Sequence, residues 1–156
     1  MAKQVKPIPE GYHSITPHLS VKGAANFAEF LKRAFGAVEE GRMPGPDGKL
    51  MHVQMRIGDS KLMFADPFPE FGGPPIAEGR WPLVLHLYVP DADKAFARAV
   101  AAGCQATMPL KDEFWGDRYG HVKDPFGFVW AIATHKEDLT REEMQKRQAA
   151  VFGSKG

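Results

Sequence analysis

The sequence predicts an α+β protein made of two paired β-α-β-β-β modules, and three observations carry that prediction. Residues 14–21 alternate, with Ile15, Leu19 and Val21 on one face and Ser14, Thr16, His18 and Ser20 on the other, the period of a half-buried strand. A helical pattern and further alternating runs follow, and after a Pro-rich stretch at 66–82 the same order of elements restarts at Leu83. Two short matches also recur at nearly one spacing: His18-Leu19-Ser20-Val21 with His86-Leu87-Tyr88-Val89, and His52-Val53 with His121-Val122. The offsets are 68 (18 to 86) and 69 (52 to 121), as duplication of one unit requires.

Taken in order, Phe27, Phe30, Leu31 and Ala34 recur at helical spacing over 24–35, and Gly36 stops that helix. Residues 37–43 read as a strand, Pro44-Gly45-Pro46-Asp47-Gly48 as a hairpin turn, and Leu50 to Ile57 as a strand. In the last of these, Val53, Met55 and Ile57 oppose His52, Gln54 and Arg56. Gly58-Asp59 is a tight turn and Lys61 to Ala65 the strand that closes the first module. The stretch 66–82 holds five prolines and reads as a linker. In the second module Leu83 to Val89 is a strand, 91–102 a helix closed by Gly103, and 105–109 a strand. The closing hairpin begins at Trp115. It turns through Asp124-Pro125-Phe126-Gly127, where Pro presets one φ and Gly permits a positive one. It returns along Phe128 to Thr134, and Phe126 of the turn with Phe128 and Trp130 of the strand read as turn anchor and core. Leu139 to Phe152 is a final helix with Thr140 and Glu143 as a capping box and Leu139 with Met144 as a staple. Its apolar stripe (Met144, Val151, Phe152) is thin, which places it on the surface of the domain or of a partner subunit.

Composition narrows the function classes. A chain of 156 residues, 44% hydrophobic and 25% charged, is sized for one domain or two small repeats sharing a core. A net charge of +1, without a Lys/Arg run, gives no reason to expect nucleic acid. Cys104 is the single cysteine, so an internal disulfide and a cysteine-based zinc site are both excluded, and core packing is its expected role. No apolar run reaches membrane length and residues 1–14 lack an apolar leader core, so a cytoplasmic protein with no membrane partner is expected. Phosphate loops, dinucleotide fingerprints and nucleophile elbows are missing from the sequence.

The stretch Trp115-Gly116-Asp117-Arg118-Tyr119-Gly120 followed by Asp124-Pro125-Phe126-Gly127 resembles the end of a vicinal-oxygen-chelate domain. That family includes glyoxalase I, extradiol dioxygenases and bleomycin-resistance proteins, and the narrower resemblance is to its PhnB-like branch. The resemblance covers about 12–138. It implies a single domain over 1–138, with modules 12–66 and 82–135 joined by 66–82, whose sheets curve around one cavity. Residues 139–156 are then a terminal helix and tail. It also implies a homodimer.

Strand period assigns the candidate site residues. With the apolar faces turned to the helices, Thr16 and His18 in the first module, and Val84, His86 and Tyr88 in the second, face the expected cavity. Trp115 and Tyr119 offer flat contact area and Arg118 a fork for an anionic group. The expected ligand-binding set is therefore Thr16, His18, His86, Tyr88, Trp115, Arg118 and Tyr119. A structural alternative has Asp117 and Arg118 pairing with each other or with backbone while Trp115 covers the core. His13 and His135 read as solvated. The resemblance implies a metal quartet, one His from the first strand and one Glu from the last strand of each module. Those positions fall on Thr16, Val84, Ala131 and, give or take two residues, Leu62, none of which binds a metal strongly. The expected function is therefore small-molecule binding with no cofactor. The alternative is a lyase or dioxygenase with one divalent metal ion relocated to His18, His52, His86 and His121.

Overall fold

Each half of the chain folds into one four-stranded sheet with one helix against a single face. The structure, a computed structural model, describes residues 5–72 and 83–153. The chain divides into two compact units, Met1–Glu78 and Gly79–Gly156. In the first, β1 (His18–Ser20), α1 (Ala24–Phe35), β2 (Val38–Pro44), β3 (Leu50–Ile57) and β4 (Ser60–Ala65) form a sheet in the order β1-β4-β3-β2. In the second, β5 (Val84–Tyr88), α2 (Ala92–Ala101), β6 (Gln105–Asp112), β7 (Asp117–Lys123) and β8 (Val129–His135) form one in the order β5-β8-β7-β6. The first strand runs parallel to the last in each unit, and the other pairs are antiparallel. A helix follows in the second unit, α3 (Arg141–Phe152).

The α+β class and the repeated β-α-β-β-β order are as the sequence predicts, with α1 and β3 at the expected bounds. The strand expected over 14–21 shortens to His18–Ser20. Pro17 has no N–H to give and contributes only its carbonyl, which accepts from Met63 N at 3.0 Å, and Ile15 ahead of it is 87% exposed. Strand β6 runs past Pro109 to Asp112. It lies at the sheet edge, where a missing donor is tolerated, and its register shifts between Met108 and Lys111. Of the stretch read as a linker, Pro69–Phe71 form a 3-10 turn, and 73–82 lie outside the described residues.

Pairing also refines the repeat. His18 pairs with Met63, which pairs with Gln54; His86 pairs with Ala131, which pairs with His121. His18 and His86 are therefore equivalent, but His121 takes the place of Gln54 and not of His52. Likewise the counterpart of Ala131 is Met63. That lies within two residues of Leu62, as expected, while Leu62 itself turns to the helix side and is 6% exposed.

The core of the first unit is Phe27, Phe30 and Leu31 of α1 with Val53, Met55 and Phe64 of the sheet, all 0–1% exposed. That of the second unit centres on Ala99 with Val122, Phe128, Trp130 and Ile132. The left-handed Gly36 (φ 64°) ends α1 while Ala37 N donates back to Leu31 O, a Schellman-type closure. Buried Asp124 locks the β7–β8 turn: Oδ1 accepts from Phe126 N and Phe128 N, and Oδ2 from Trp130 Nε1 at 2.9 Å. Helix α3 carries the expected capping box between Thr140 and Glu143 and buries none of its side chains.

One side chain per unit ties the last strand to the start of the helix. Asp66, 8% exposed, accepts from Gly23 N (2.8 Å) and Ala24 N (3.2 Å) at the α1 N-terminus and from Leu50 N (2.8 Å). In the second unit Thr134 Oγ1 accepts from Ala92 N at 2.8 Å and donates to Val89 O. Replacing Asp66 with Ala leaves three backbone donors without their acceptor. We expect D66A to lose about 3 kcal/mol of unfolding free energy in urea titrations, and T134A about 1 kcal/mol.

Candidate binding faces

Strand alternation on β7 sends Asp117, Tyr119 and His121 to one side and Arg118, Gly120 and Val122 to the other, which α2 covers. The first side holds the principal cluster. Asp117 is 3% exposed, and its Oδ2 accepts from Tyr88 Oη at 3.0 Å and from Trp115 Nε1 at 3.1 Å. Its Oδ1 faces His135 Nδ1 at 2.8 Å. From Tyr88 the rings continue to His86 (centroids 4.5 Å apart), from His86 to Tyr119 (5.6 Å) and from Tyr119 to Trp115 (5.1 Å). The contacts thus close a ring that begins and ends on one carboxylate. Tyr119 Oη also meets His121 Nε2 at 2.6 Å. Ala131 and Ala133, both 0% exposed, floor the cluster: they pair with His86 and Tyr88 on β5 and with His121 and Tyr119 on β7.

The approach to Trp115 depends on Gly116. Its φ is 96°, and a Cβ there would lie 2.6 Å from Glu137 O. The Gly116 carbonyl in turn accepts from Lys136 N and Glu137 N, which holds the end of β8 beside the start of β7. A glycine is therefore required at this corner on both conformational and steric grounds.

In the first unit, His18 and His52 face each other with ring centroids 5.8 Å apart. A cavity of about 240 Å³ opens beside His18 and is lined by Leu19, Ser20, Met51, Ala65, Asp66, Phe68 and Phe71 as well.

Of the expected set, the structure brings His86, Tyr88, Trp115 and Tyr119 together. It sets His18 on the corresponding face of the first unit, two residues after the half-buried Thr16. Arg118 is placed apart from them. Its guanidinium reaches the helix side and holds Asp93 of α2 through two bonds of 2.9 Å, with Asp112 at 3.4 Å. Asp117 does not pair with Arg118. His135 is exposed, as expected, and also bonds Asp117 and Asp138 (2.9 Å). Asp117 and His135 were not legible as site residues; a buried acid one residue beyond a required glycine is the only signal the sequence offered. Cys104 is buried, and burial pushes its thiol up to about 12, which leaves it unreactive at neutral pH.

Burial, then repulsion from a neighbouring imidazole, holds His18 (beside His52) and His121 (beside His86) below the ordinary 6.5. Asp138, then Asp117, raises His135. Tyr88 is raised by its bond to Asp117, and Tyr119 by burial, so both phenols stay protonated near neutral pH.

The family's metal quartet does not fit these residues. At its four positions Ala131 and Leu62 are buried hydrocarbon, Val84 is an exposed edge residue and Thr16 offers one hydroxyl. Met63, the register counterpart of Ala131, carries no carboxylate. Among the described residues no three His, Cys, Asp or Glu side chains converge as metal ligands.

A sheet of this topology, repeated once and bearing histidine on the first strand of each unit, defines the class. The Glyoxalase/Bleomycin resistance protein/Dioxygenase superfamily profile matches residues 12–132, and the chain belongs to that superfamily. A protein of Mycobacterium tuberculosis (strain H37Rv) is 41% identical over 160 residues, covering 100% of this chain and 88% of its own length. The crystal structure of TioX from Micromonospora sp. ML1 superposes with a TM-score of 0.64 at 25% identity, covering 79% of this chain and 98% of TioX. The PhnB protein from Bacillus cereus, described as a putative 3-demethylubiquinone-9 3-methyltransferase, shares the fold at 15% identity, with a TM-score of 0.61. That match covers 78% of this chain and 99% of the Bacillus protein.

Two titration outcomes are expected by NMR of the histidine ring protons. His18 and His121 should titrate below 6.5 and His135 above it. The sign for stability follows: the unfolded chain takes up the His18 and His121 protons first, so folding weakens as pH falls below 6.5. The contribution of His135 has the opposite sense. It is fully present below 6.5 and is lost as pH rises through the raised midpoint of the folded chain.

Proposed function

We propose that this chain is a cytoplasmic small-molecule binding protein of its superfamily, on the PhnB-like branch, and that it binds without the metal quartet used by the family's lyases and dioxygenases. The observation that carries the reading is the closed ring Asp117–Tyr88–His86–Tyr119–Trp115. A buried carboxylate that fixes a tyrosine and a tryptophan by their polar ends leaves their flat faces preorganised for contact, and preorganisation lowers the entropy cost of binding. Tyr88 is 59% exposed, more than a purely structural ring needs. Branch membership is supported by the Trp115–Gly120 and Asp124–Gly127 stretches and by the fold shared with the Bacillus cereus protein. No helix among the described residues is long and apolar enough to cross a membrane.

A thermal-shift screen of small aromatic and oxygenated compounds tests the reading. At least one hit should lose about tenfold or more in affinity in W115A and in H86A, as measured by calorimetry. Binding of every hit by both variants as by the parent would overturn the assignment of this face. Elemental analysis of untagged protein should find well under one equivalent of divalent metal per chain. A stoichiometric ion abolished by histidine substitutions would instead establish the relocated metal site.

Homodimerisation belongs to the same proposal. Each sheet ends in two edge strands, and β2 at one of them exposes Val38 (47%) and Met43 (57%). Light scattering at micromolar concentration should give twice the 17.3 kDa chain mass.

A further inference from the structure

The first unit carries a cavity that the cluster around Asp117 does not include. Its lining is hydrocarbon and aromatic: Leu19, Met51, Ala65, Phe68 and Phe71. The Phe68 and Phe71 rings lie 6.1 Å apart at 44°, so they present a face and an edge in place of a closed stack. Polar character comes from the His18 imidazole, the Ser20 hydroxyl and Asp66. Asp66 offers little to a ligand. Both its oxygens are engaged by Gly23 N, Ala24 N and Leu50 N, and its charge faces the N-terminus of α1, whose dipole opposes it. Lys49, the cation nearest the aromatic wall, sits over the Phe68 ring at 5.2 Å. What remains is an apolar chamber with one imidazole and one hydroxyl at its sheet end.

Size and charge together select an occupant. A dry apolar cavity of about 150 Å³ takes benzene, so about 240 Å³, open on one side, has room for one six-membered ring with a small substituent. Among the described residues that line it there is no Lys or Arg, and its one carboxylate is already engaged, so neither a carboxylate nor an ammonium finds a free opposite charge in the lining to offset its desolvation. A hydroxyl would find both a donor and an acceptor. We infer that the cavity formed by His18, Ser20, Met51, Ala65, Phe68 and Phe71 is a binding site for an uncharged monocyclic phenol. Its hydroxyl bonds to the His18 imidazole and Ser20, and its ring lies between Met51 and the two phenylalanines. Burial and the proximity of His52 keep that imidazole neutral above its lowered midpoint, so that its free ring nitrogen accepts a hydrogen bond from the phenol O–H. This site lies within the first unit and does not depend on the cluster around Asp117.

The test uses toluene and three of its para-substituted derivatives, which share one ring and one methyl group: p-cresol, p-toluate and 4-methylbenzylamine. Binding to the full chain at pH 7.5 is followed by protein-observed NMR shifts. We expect p-cresol to saturate below about 10 mM and to bind at least about tenfold more tightly than the other three, one hydrogen bond or one charge desolvation apart. H18A and S20A should each bring p-cresol towards the toluene affinity, and M51W, which fills the chamber from its exposed side, should abolish binding. F71A changes a residue that is 71% exposed, so it should weaken binding while leaving the melting temperature unchanged. W115A should bind p-cresol as the parent does, which separates this site from the face around Asp117. Saturation unaffected by M51W and F71A would overturn the inference, as would p-toluate or the amine binding as tightly as p-cresol.

Discussion

A parallel pair of strands at the edge of each sheet is the constraint on which the rest of the structure depends. Strands β1 and β4, and β5 and β8, run the same way, so the chain must cross over between them, and each crossover begins with a helix. That helix has to begin close to the end of the last strand, where its first N–H groups would otherwise be buried without acceptors. Asp66 and Thr134 meet this need from equivalent positions, one with a carboxylate and one with a hydroxyl that also bonds Val89 O. Once the helix is anchored, one face of each sheet is committed to the core. The other face receives every second side chain, and those side chains include the histidines.

The second unit shows how such a face becomes a site. Asp117 follows a glycine whose conformation and clearance bring the Trp115 corner back against the end of β8. Buried there, the carboxylate collects donors from three segments: Trp115 ahead of β7, Tyr88 on β5 and His135 on β8. Because both indole and phenol are tethered at their polar ends, neither can rotate away without breaking a buried bond. The alanine floor at 131 and 133 keeps the flanking rings close. Larger side chains at those positions would occupy the space now taken by His86 and Tyr119.

The two units have diverged in what they present. The first pairs two imidazoles beside an apolar cavity, and the second sets one imidazole in a ring of phenols and an indole. Neither retains a carboxylate where the family's metal chemistry needs one. Superfamily membership therefore defines the scaffold here, while the chemistry is that of the particular side chains on each face.

Element type and strand face were written locally, and so the sequence alone determined them. The 3.6-residue stripe of Phe27, Phe30 and Leu31, the stop at Gly36, the alternation over 50–57 and the capping box at Thr140 each follow from neighbours within a few residues. Duplication was legible because His18 and His86 stand at the same place in their units. Register across strands was not, since a two-residue slip preserves every face; the match of His52 to His121 looked sound but is displaced by one pair. The counterpart of Ala131 was legible only to within two residues for the same reason, and pairing places it at Met63. Only the tertiary structure decided which polar groups meet. Arg118 turns to Asp93 because the pleat sends it to the helix side, and Asp117 draws in Tyr88 and His135, 29 and 18 residues away. Those partnerships depend on strand pairing between distant segments, which no local periodicity encodes.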